Sequence, residues 1–287
     1  MSERIGVIGL GRMGWALASR LSDQGLDVRG WTRSGADPEK ARAVSFAAIA
    51  NLEDLVSASD VLILSLFDET AVRDVLAKLA TLDLSAKLVV ETSTVPPQVV
   101  RDCESAILEA GGRLIDAPIS GGPEMVADGT MGLFIGGDAD NVARFMPVAT
   151  AGSDRIAHVG PLGAGAAMKI VNNVALAGSF QATAEALELG IALGLDFQKT
   201  LDVLSKGPAA TPMFRSRIPK IIGDDAEVGF SLDGAQKDTA VFLSTARSCN
   251  VEVPALEAAA ENVKAAVDAG HGQKDVAARI RYRLGLE

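Results

Sequence analysis

The sequence predicts a doubly wound α/β sheet followed by an all-α C-terminal domain, the two joined by a long interdomain helix. Strand-like and helical patterns alternate up to about His158, a glycine-rich turn follows the first strand, and helical patterns without strands fill the remainder. Alternation of strands and helices favours a parallel sheet, because each parallel strand needs a crossover connection to the next. We therefore expect residues 1–160 to form one domain and residues 161–287 a second.

Short apolar runs define the strands of the first domain. Several are apolar on successive residues, as strands buried on both faces should be. The predicted strands are Arg4–Gly9, Asp27–Trp31, Val61–Ser65, Leu88–Thr92, Arg113–Ala117 and Met131–Gly136. The predicted helices between them include Met13–Ser22, Thr70–Ala80 and Gln98–Ala110.

A long helical pattern opens the second domain. From Gly165 to about Leu193 the chain is rich in Ala and Leu and contains no proline. At about 1.5 Å per residue, this helix would be on the order of 40 Å long. Apolar residues surround most of it, which is typical of a buried helix and needs more cover than one small domain offers, so we expect a homodimer or homotetramer. Further helices are predicted at Phe197–Ser205, Leu232–Ser248, Val253–Ala269 and Val276–Leu284.

Composition and charge exclude several classes of protein. Of 287 residues, 48% are hydrophobic and 22% charged, and a net charge of −10 argues against a general nucleic-acid or anionic-membrane binder. No apolar stretch approaches the ~20 residues that span a bilayer, and the first residues leave no room for a signal peptide. Cys103, Cys249, His158 and His271 show no metal-ligand spacing. We therefore expect a cytoplasmic protein without a metal site.

A glycine-rich turn at residues 9–14 predicts a dinucleotide site. The turn follows a predicted strand and opens a predicted helix, the context that the GxGxxG fingerprint of Rossmann-type domains requires. Its first glycine permits a tight turn, its second lets the backbone approach the pyrophosphate, and its third lets the helix pack close to the strand. The phosphates would then lie on exposed N–H groups of the helix N-terminus. The candidate cofactor-binding residues here are Gly9, Leu10, Gly11, Arg12, Met13 and Gly14.

The end of the second predicted strand indicates which dinucleotide binds. An acidic residue about 20 residues after the turn commonly holds the ribose 2′-hydroxyl of NAD. This sequence instead reads Trp31-Thr32-Arg33-Ser34. The guanidinium of Arg33 and the hydroxyl of Ser34 suit a 2′-phosphate, whereas a solvated surface arginine is the alternative interpretation. We expect NADP (as NADPH) to be the cofactor, with NAD less favoured.

A lysine near the start of the long helix is a candidate for acid–base chemistry. Lys169 and Asn173 lie four residues apart and therefore share one helix face. The neighbours of Lys169 are mostly apolar, and burial of an ammonium lowers a lysine pKa toward the range useful for proton transfer. The alternative is a lysine whose stem packs while its ammonium reaches solvent or an ion-pair partner. The spacing alone leaves both interpretations open.

Several motifs extend this site over nearly the whole chain. They are Gly9–Gly14 (GLGRMG), Glu91–Pro97 (ETSTVPP), Asp116–Gly122 (DAPISGG), Gly129-Thr130, Gly163–Asn173 (GAGAAMKIVNN) and Phe230–Asp238 (FSLDGAQKD). Together, and in this order, they resemble the β-hydroxyacid dehydrogenase family, which includes 3-hydroxyisobutyrate dehydrogenase and the glyoxylate/succinic semialdehyde and tartronate semialdehyde reductases. The combination is far more specific than any single motif.

The resemblance implies a role for each candidate residue. Lys169 would be the general acid that protonates the carbonyl oxygen, and Asn173 would hold the substrate and orient that lysine. Ser120, Gly121 and Gly122 would bind the substrate carboxylate, since a hydroxyl with close-approaching backbone N–H groups forms an anion cradle. The other implied contacts are Thr94 at the nicotinamide and the substrate, Phe230 and Asp238 at the substrate, and Lys237 at the cofactor.

The resemblance also implies the reaction. It is the NADPH-dependent reduction of a small carboxylate-bearing aldehyde, of the glyoxylate/succinic- or tartronate-semialdehyde type, or oxidation of the related hydroxy acid. The alternatives are a 3-hydroxyisobutyrate dehydrogenase, an imine reductase-like enzyme, and a nucleotide-sensing protein that lost catalysis. The presence of Lys169 counts against the last two.

The chain departs from the family pattern at three places. Glu91 stands where the family more often has Asp, and Phe67 stands where a proline often follows the fourth strand. Met125-Val126 replaces a Gly-Ala pair after the SGG turn. This last change adds bulk beside the expected substrate loop and leaves the identity of the substrate open.

Overall fold

The computed structural model describes residues 3–286. The chain divides into two compact units between Ile170 and Val171, a point inside one long helix. The sequence predicts the domain boundary at residues 160–161. Each unit has hydrophobic cores of its own.

Within the described part of the first unit, nine strands form one sheet. The strands are β1 (Arg4–Ile8), β2 (Asp27–Trp31), β3 (Ala47–Ala48), β4 (Val61–Leu64), β5 (Leu88–Glu91), β6 (Arg113–Asp116), β7 (Ile119–Ser120), β8 (Gly132–Gly136) and β9 (Arg155–Gly160). Their order is β3-β2-β1-β4-β5-β6-β8-β7, and β9 pairs with β8. Strands β1 to β6 are parallel, so the predicted doubly wound α/β class is confirmed.

Helices connect the parallel strands and cover the sheet. They are α1 (Arg12–Asp23), α2 (Pro38–Ala43), α3 (Leu52–Ala58), α4 (Glu69–Leu79), α5 (Pro97–Glu109), α6 (Pro123–Ala127) and α7 (Ala139–Gly152). Because alternate residues of a strand point to opposite faces, Val61 and Ile63 of β4 join one core and Leu62 and Leu64 join the other. This double burial explains why β4 is apolar on successive residues.

Strand β8 departs from the parallel arrangement. It runs antiparallel to β6 and β7, so the expectation of a purely parallel sheet is wrong for Met131–Gly136. The link between β7 and β8 contains only the short helix α6, and antiparallel neighbours need no crossover helix. Strand β9 was not predicted from the sequence, because its residues are half-buried or exposed and form no continuous apolar run.

The long helix predicted between the domains is present. Helix α8 spans Ala164–Ala192, and its 29 residues correspond to about 43 Å. Phe180 and Leu187 are buried, whereas Val171 is 63% and Leu189 61% exposed. Packing within the single chain therefore covers only part of the apolar surface of α8, and the rest of that surface is exposed.

The second unit is helical, as predicted. After α8 it contains α9 (Phe197–Lys206), α10 (Pro212–Ile222), α11 (Leu232–Ser248), α12 (Pro254–Ala266) and α13 (Ala278–Arg283). Helix α10 was not predicted, because Pro219 interrupts its helical pattern. Helix α12 ends before the predicted Ala269 and continues as a π-helical turn, Val267–His271, in which Gly270 has φ +91°.

Among residues 3–286, no helix is both long and apolar enough to cross a membrane. The same residues contain no group of three or more His, Cys, Asp or Glu side chains that could hold a metal ion.

Candidate active site

The order of strands changes direction between β1 and β4. From β1 the chain moves outward through β2 and β3, and then continues on the other side through β4, β5 and β6. Ligands of open α/β sheets bind outside the carboxyl ends of the strands at such a switch point. These ends are close together here, since a Cβ on Gly9 after β1 would lie 2.3 Å from the carbonyl oxygen of Ser65 after β4.

The turn after β1 has a backbone geometry that requires glycine. Gly9 has φ +96°, and its N–H donates to the carbonyl of Trp31 at 2.8 Å. A Cβ on Gly14 would lie 1.9 Å from the carbonyl oxygen of Gly9, so only glycine lets α1 start this close to β1. The position of Gly11 is open: among residues 3–286, no atom outside its chain neighbours and its own helix lies within 4 Å of a Cβ placed there.

Helix α1 begins at Arg12, directly after this opening. Within the described residues, its first turn carries no acidic side chain, and its N-cap is Gly11. Leu10 and Met13 pack against the core, whereas Arg12 is exposed. Free N–H groups at a helix N-terminus favour anions. The turn therefore fits the pyrophosphate of a dinucleotide, with backbone N–H groups as its donors.

A tight turn follows β2. The N–H of Gly35 donates to the carbonyl of Thr32 at 3.0 Å and closes the turn. Arg33 and Ser34 are exposed on it, so both side chains are accessible to a ligand. This exposure is compatible with a 2′-phosphate contact and equally with a solvated arginine.

Hydrogen bonds tie together the segments after β4 and β5. The N–H of Leu66 donates to Oγ of Ser93 at 2.9 Å, and the buried Glu91 carboxylate accepts the N–H of Ser93 at 2.7 Å. Thr94 follows and is half-buried, whereas Phe67 is 64% exposed. The segment that leads to Thr94 is thus attached both to the residues after β4, through Leu66, and to the end of β5, through Glu91.

Strand β7 leads into the candidate carboxylate loop, Ser120–Gly122. Gly121 has φ +142°, a conformation that favours glycine. A Cβ at this position would lie 3.1 Å from both Cβ and Sδ of Met125, so the methionine packs against the loop. Ser120 is half-buried. A hydroxyl beside backbone N–H groups in such a turn can cradle an anion.

Lys169 lies beside this loop. It is in the second turn of α8 and is only 7% exposed. Its Nζ donates to the carbonyl oxygen of Ile119 at 2.6 Å, and Ile119 immediately precedes Ser120. An ammonium in this place can give a proton to the carbonyl oxygen of a compound whose carboxylate is bound at the loop.

Asp116 opens the motif Asp116–Gly122, but the sequence did not indicate a role for it in the site. It is fully buried at the carboxyl end of β6, and its carboxylate accepts the N–H of Gly163 at 2.7 Å and that of Ala166 at 2.6 Å. Burial raises the pKa of Asp116 to about 6, although these N–H groups and Arg101 oppose the shift. The available signal was a charged residue at the end of an apolar strand.

Four candidates belong to the second unit: Asn173, Phe230, Lys237 and Asp238. The side-chain oxygen of Asn173 accepts from Nδ2 of Asn172 at 2.9 Å. Lys237 and Asp238 form an ion pair at 2.6 Å, and Asp238 is buried. Phe230 packs against a core of this unit. All four are thus held by contacts within the second unit.

Comparison with known proteins assigns the family. The model described as the NAD binding domain of 6-phosphogluconate dehydrogenase matches residues 4–160, and the one described as NAD-binding of NADP-dependent 3-hydroxyisobutyrate dehydrogenase matches residues 163–283. L-threonate dehydrogenase of Cupriavidus necator is 31% identical over 100% of this chain and 98% of its own length. The chain belongs to the β-hydroxyacid dehydrogenase family.

Two further proteins with dehydrogenase names are similar to this chain, one in sequence and one in sequence and structure. The 2-(hydroxymethyl)glutarate dehydrogenase of Eubacterium barkeri is 29% identical over 98% of this chain and 94% of its own. The solved structure of Mycobacterium tuberculosis 3-hydroxyisobutyrate dehydrogenase with L-serine has a TM-score of 0.86, 29% identity, and coverage of 98% of this chain and 99% of its own. The predicted family is confirmed, and these β-hydroxyacid dehydrogenase relatives act on small hydroxy acids.

Proposed function

We propose that this β-hydroxyacid dehydrogenase family member is an NADP(H)-dependent reductase of small aldehyde acids, of the glyoxylate/succinic- or tartronate-semialdehyde type. In the opposite direction it oxidises the corresponding hydroxy acid. The observation that carries the proposal is the buried ammonium of Lys169, which donates to the Ile119 carbonyl at 2.6 Å, next to Ser120. A proton donor beside an anion cradle suits a substrate that has both a carbonyl and a carboxylate.

In this proposal, a side chain of the protein transfers the proton of the reaction. Lys169 donates a proton from Nζ to the carbonyl oxygen in reduction, and it takes the hydroxyl proton in oxidation. The carbonyl of Ile119 accepts a hydrogen bond from the same ammonium and orients it. When bound, the nicotinamide cofactor supplies the hydride for reduction and accepts it in oxidation.

The substrate carboxylate binds at Ser120–Gly122 in this proposal. The φ of +142° at Gly121 supports it, because the conformation lets the backbone approach a ligand without a side chain between them. The remaining assignments follow the family motifs: Asn173, Phe230 and Asp238 for the substrate, Lys237 for the cofactor, and Thr94 for both.

NADPH is the proposed cofactor, because β2 is followed by Thr32-Arg33-Ser34, which offers no acidic side chain to a ribose 2′-hydroxyl but a guanidinium and a hydroxyl to a 2′-phosphate. Rates of NADPH and NADH oxidation are measured in parallel for the wild type and Arg33→Ala. The preference for NADPH should fall by about tenfold or more in this variant. Arg113→Ala is the control, because Arg113 is exposed at the amino end of β6, the opposite edge of the sheet. A preference of the wild type for NADH would refute this cofactor assignment.

The substrate class is tested with two panels. Reduction is assayed with glyoxylate, succinic semialdehyde, tartronate semialdehyde and methylmalonate semialdehyde, and oxidation with L-threonate, 2-(hydroxymethyl)glutarate and 3-hydroxyisobutyrate. Among the reductions, the highest kcat/KM is expected with glyoxylate, succinic semialdehyde or tartronate semialdehyde, whereas methylmalonate semialdehyde is the oxidised form of 3-hydroxyisobutyrate and represents the second candidate. Highest activity on 3-hydroxyisobutyrate would assign the second candidate, a 3-hydroxyisobutyrate dehydrogenase, which the similarity to the mycobacterial structure favours.

Two outcomes would reject a hydroxyacid dehydrogenase altogether. Turnover of a cyclic imine without turnover of any aldehyde acid would assign an imine reductase-like enzyme. Binding of the dinucleotide without any turnover would assign a nucleotide-sensing protein.

The proposal includes a homodimer or homotetramer. Val171 and Leu189 of α8 are large apolar residues with 63% and 61% exposure in the single chain. Light scattering of the purified protein should give a mass of two or four chains. The mass of one chain would contradict this part of the proposal.

A further inference from the structure

We propose that Asp116 is a positioning residue, which anchors the first turn of α8 to the end of β6 and thereby holds Lys169 beside the Ser120–Gly122 loop. The inference rests on the proposed function of Lys169 and deepens it. Three observations support it: the hydrogen bonds of the carboxylate, the space around it, and a second attachment of α8 to the same chain segment.

The Asp116 carboxylate bridges two N–H groups at the start of α8. Oδ1 accepts the N–H of Gly163 at 2.7 Å, and Oδ2 accepts that of Ala166 at 2.6 Å. Ala166 lies three residues before Lys169, so the two residues are neighbours on the helix surface. A displacement of the first turn would therefore displace Lys169 with it.

The surrounding backbone encloses the carboxylate tightly. A Cβ on Gly136 of β8 would lie 2.4 Å from Oδ1 of Asp116, and a Cβ on Gly165 of α8 would lie 2.9 Å from Oδ2. Asp116 itself is 0% exposed. The carboxylate thus occupies part of the space that side chains at these two glycines would need, and the carbonyl oxygen of Phe134 also lies close to the Cβ position of Gly165.

The segment that contains Asp116 also holds the tip of Lys169. The carbonyl of Ile119, three residues after Asp116, accepts a hydrogen bond from Nζ of Lys169 at 2.6 Å. One short segment therefore contacts α8 at its first turn and at the lysine ammonium. Together the two attachments restrict both the backbone and the side chain of Lys169, as efficient proton transfer requires.

Charged groups face Asp116 from several elements. Arg101 on α5 attracts the carboxylate, and its Nε donates to the Leu162 carbonyl at 3.1 Å. Glu91 on β5 is the register neighbour of Asp116, Lys169 lies further along α8, and β8 approaches with glycine backbone. Burial outweighs the attraction of Arg101, and the pKa of Asp116 rises to about 6.

Protonation of Asp116 has opposite effects on positioning and on stability. Below about pH 6 the carboxyl group becomes neutral, so both N–H groups lose a charged acceptor, and one of them faces a hydroxyl oxygen that is now a donor. The folded-state pKa lies above the ordinary value of 3.8, so the folded protein binds more protons than the unfolded chain between these values. The contribution of this group to stability therefore increases as the pH falls through that window. Turnover is expected to decrease over the same window.

The first test compares Asp116→Asn with Asp138→Asn, a matched substitution at the N-cap of α7. Asp138 is exposed, and it accepts the N–H of Asp140 at 3.0 Å. Amide hydrogen exchange of residues 163–170 is measured by mass spectrometry at about pH 7. Exchange in this segment should accelerate by about tenfold or more in D116N and stay unchanged in D138N. Equal protection of the segment in D116N and in the wild type would overturn the proposal.

The second test separates positioning from a structural role. In D116N, kcat should fall by about tenfold or more, while KM and the cofactor Kd stay near those of the wild type. The decrease in kcat of the wild type below about pH 6 should be absent in D116N, because an amide does not titrate there. A wild-type pH profile in D116N, or a loss of kcat that only follows the loss of folded protein, would overturn the proposal.

Two controls keep the tests decisive. If D116N does not fold, protection of residues 163–170 in the wild type is compared at about pH 5 and about pH 7. Lower protection at the acidic pH supports the proposal, and equal protection overturns it. If the wild type reduces no aldehyde acid, the proposed function fails, whereas the exchange measurement still decides whether Asp116 holds α8.

Discussion

The turn after β1 and the junction between β6 and α8 lie at the same edge of the sheet, yet the turn depends on glycines and the junction on buried charged side chains. At the turn, side chains are excluded: a Cβ on Gly14 would lie 1.9 Å from the carbonyl oxygen of Gly9. At the junction, Asp116 and Lys169 bring charged side chains into the interior, and backbone groups hold both.

The difference follows from what each region contributes. A pyrophosphate needs N–H groups at close range, and side chains would obstruct that approach. A proton transfer needs a titratable group at a fixed position, which requires burial together with hydrogen-bond partners. Substitutions at the turn should therefore act by filling space, and substitutions at the junction by changing charge and position.

The largest effect is expected at Lys169. Lys169→Ala removes the proposed proton donor and should lower kcat by about 10³-fold, with little change in the cofactor Kd. Turnover assays and fluorescence titration with NADPH measure the two quantities. Lys206→Ala is the control, because the side chain of Lys206 on α9 is 72% exposed. A kcat of K169A within about tenfold of the wild type would show that the junction does not provide the acid.

At the turn, two alanine substitutions should give different results. Gly14→Ala places a methyl group against the Gly9 carbonyl and should lower the free energy of unfolding by about 2 kcal/mol or more. Gly11→Ala has room and a permitted φ of −70°, so it should barely change stability. It should still raise the cofactor Kd about tenfold, because the methyl group obstructs the approach of the pyrophosphate.

Denaturant unfolding and cofactor titration of both variants provide the measurement. Equal losses of stability in G11A and G14A would contradict the argument from space. Unchanged cofactor binding in G11A would contradict the assignment of this turn to the pyrophosphate.

A smaller effect is expected at Met125, which packs against Gly121 beside the junction. Met125→Ala removes bulk and should lower KM for succinic semialdehyde severalfold relative to glyoxylate, with kcat within about threefold. Met146→Ala is the control, because Met146 is a partly buried methionine of α7 that packs against the same core. Equal changes in KM for the two substrates would show that Met125 does not limit substrate size.

The smallest effect on activity is expected at the opposite edge of the sheet. Hydrogen bonds from the Arg4 guanidinium hold the pKa of Asp60 far below its usual range. Because this pKa is lower in the folded than in the unfolded chain, the stabilisation is present above about pH 4 and is lost as the pH falls further.

Asp60→Asn should therefore lower the free energy of unfolding by about 1 kcal/mol or less near pH 7, since the pair is partly exposed. The difference should disappear toward about pH 2, and kcat should not change. Thermal unfolding at both pH values and a turnover assay measure these outcomes. A loss of kcat would contradict the separation of the two edges.

Patterns among neighbouring residues were sufficient to predict the longer strands and helices and the glycine-rich turn. The apolar run in β4 indicates a strand buried on both faces, and the glycine spacing at residues 9–14 indicates a turn that only glycine permits. Both signals arise between residues that are close in sequence. Strands β3 and β7 have two residues each, and such short strands carry no periodic signal.

Patterns and motifs in the sequence predict an α/β dinucleotide-binding domain followed by a helical domain, and they identify Lys169 and Ser120–Gly122 as candidate site residues. Three features became known only from the folded structure: β8 runs antiparallel, the Asp116 carboxylate accepts hydrogen bonds at the start of α8, and the Ile119 carbonyl accepts one from Lys169. The partners in each of the last two contacts, Asp116 with Ala166 and Ile119 with Lys169, are 50 residues apart in the chain. Such contacts depend on how β6, β7 and α8 pack together, and no pattern among neighbouring residues specifies that packing.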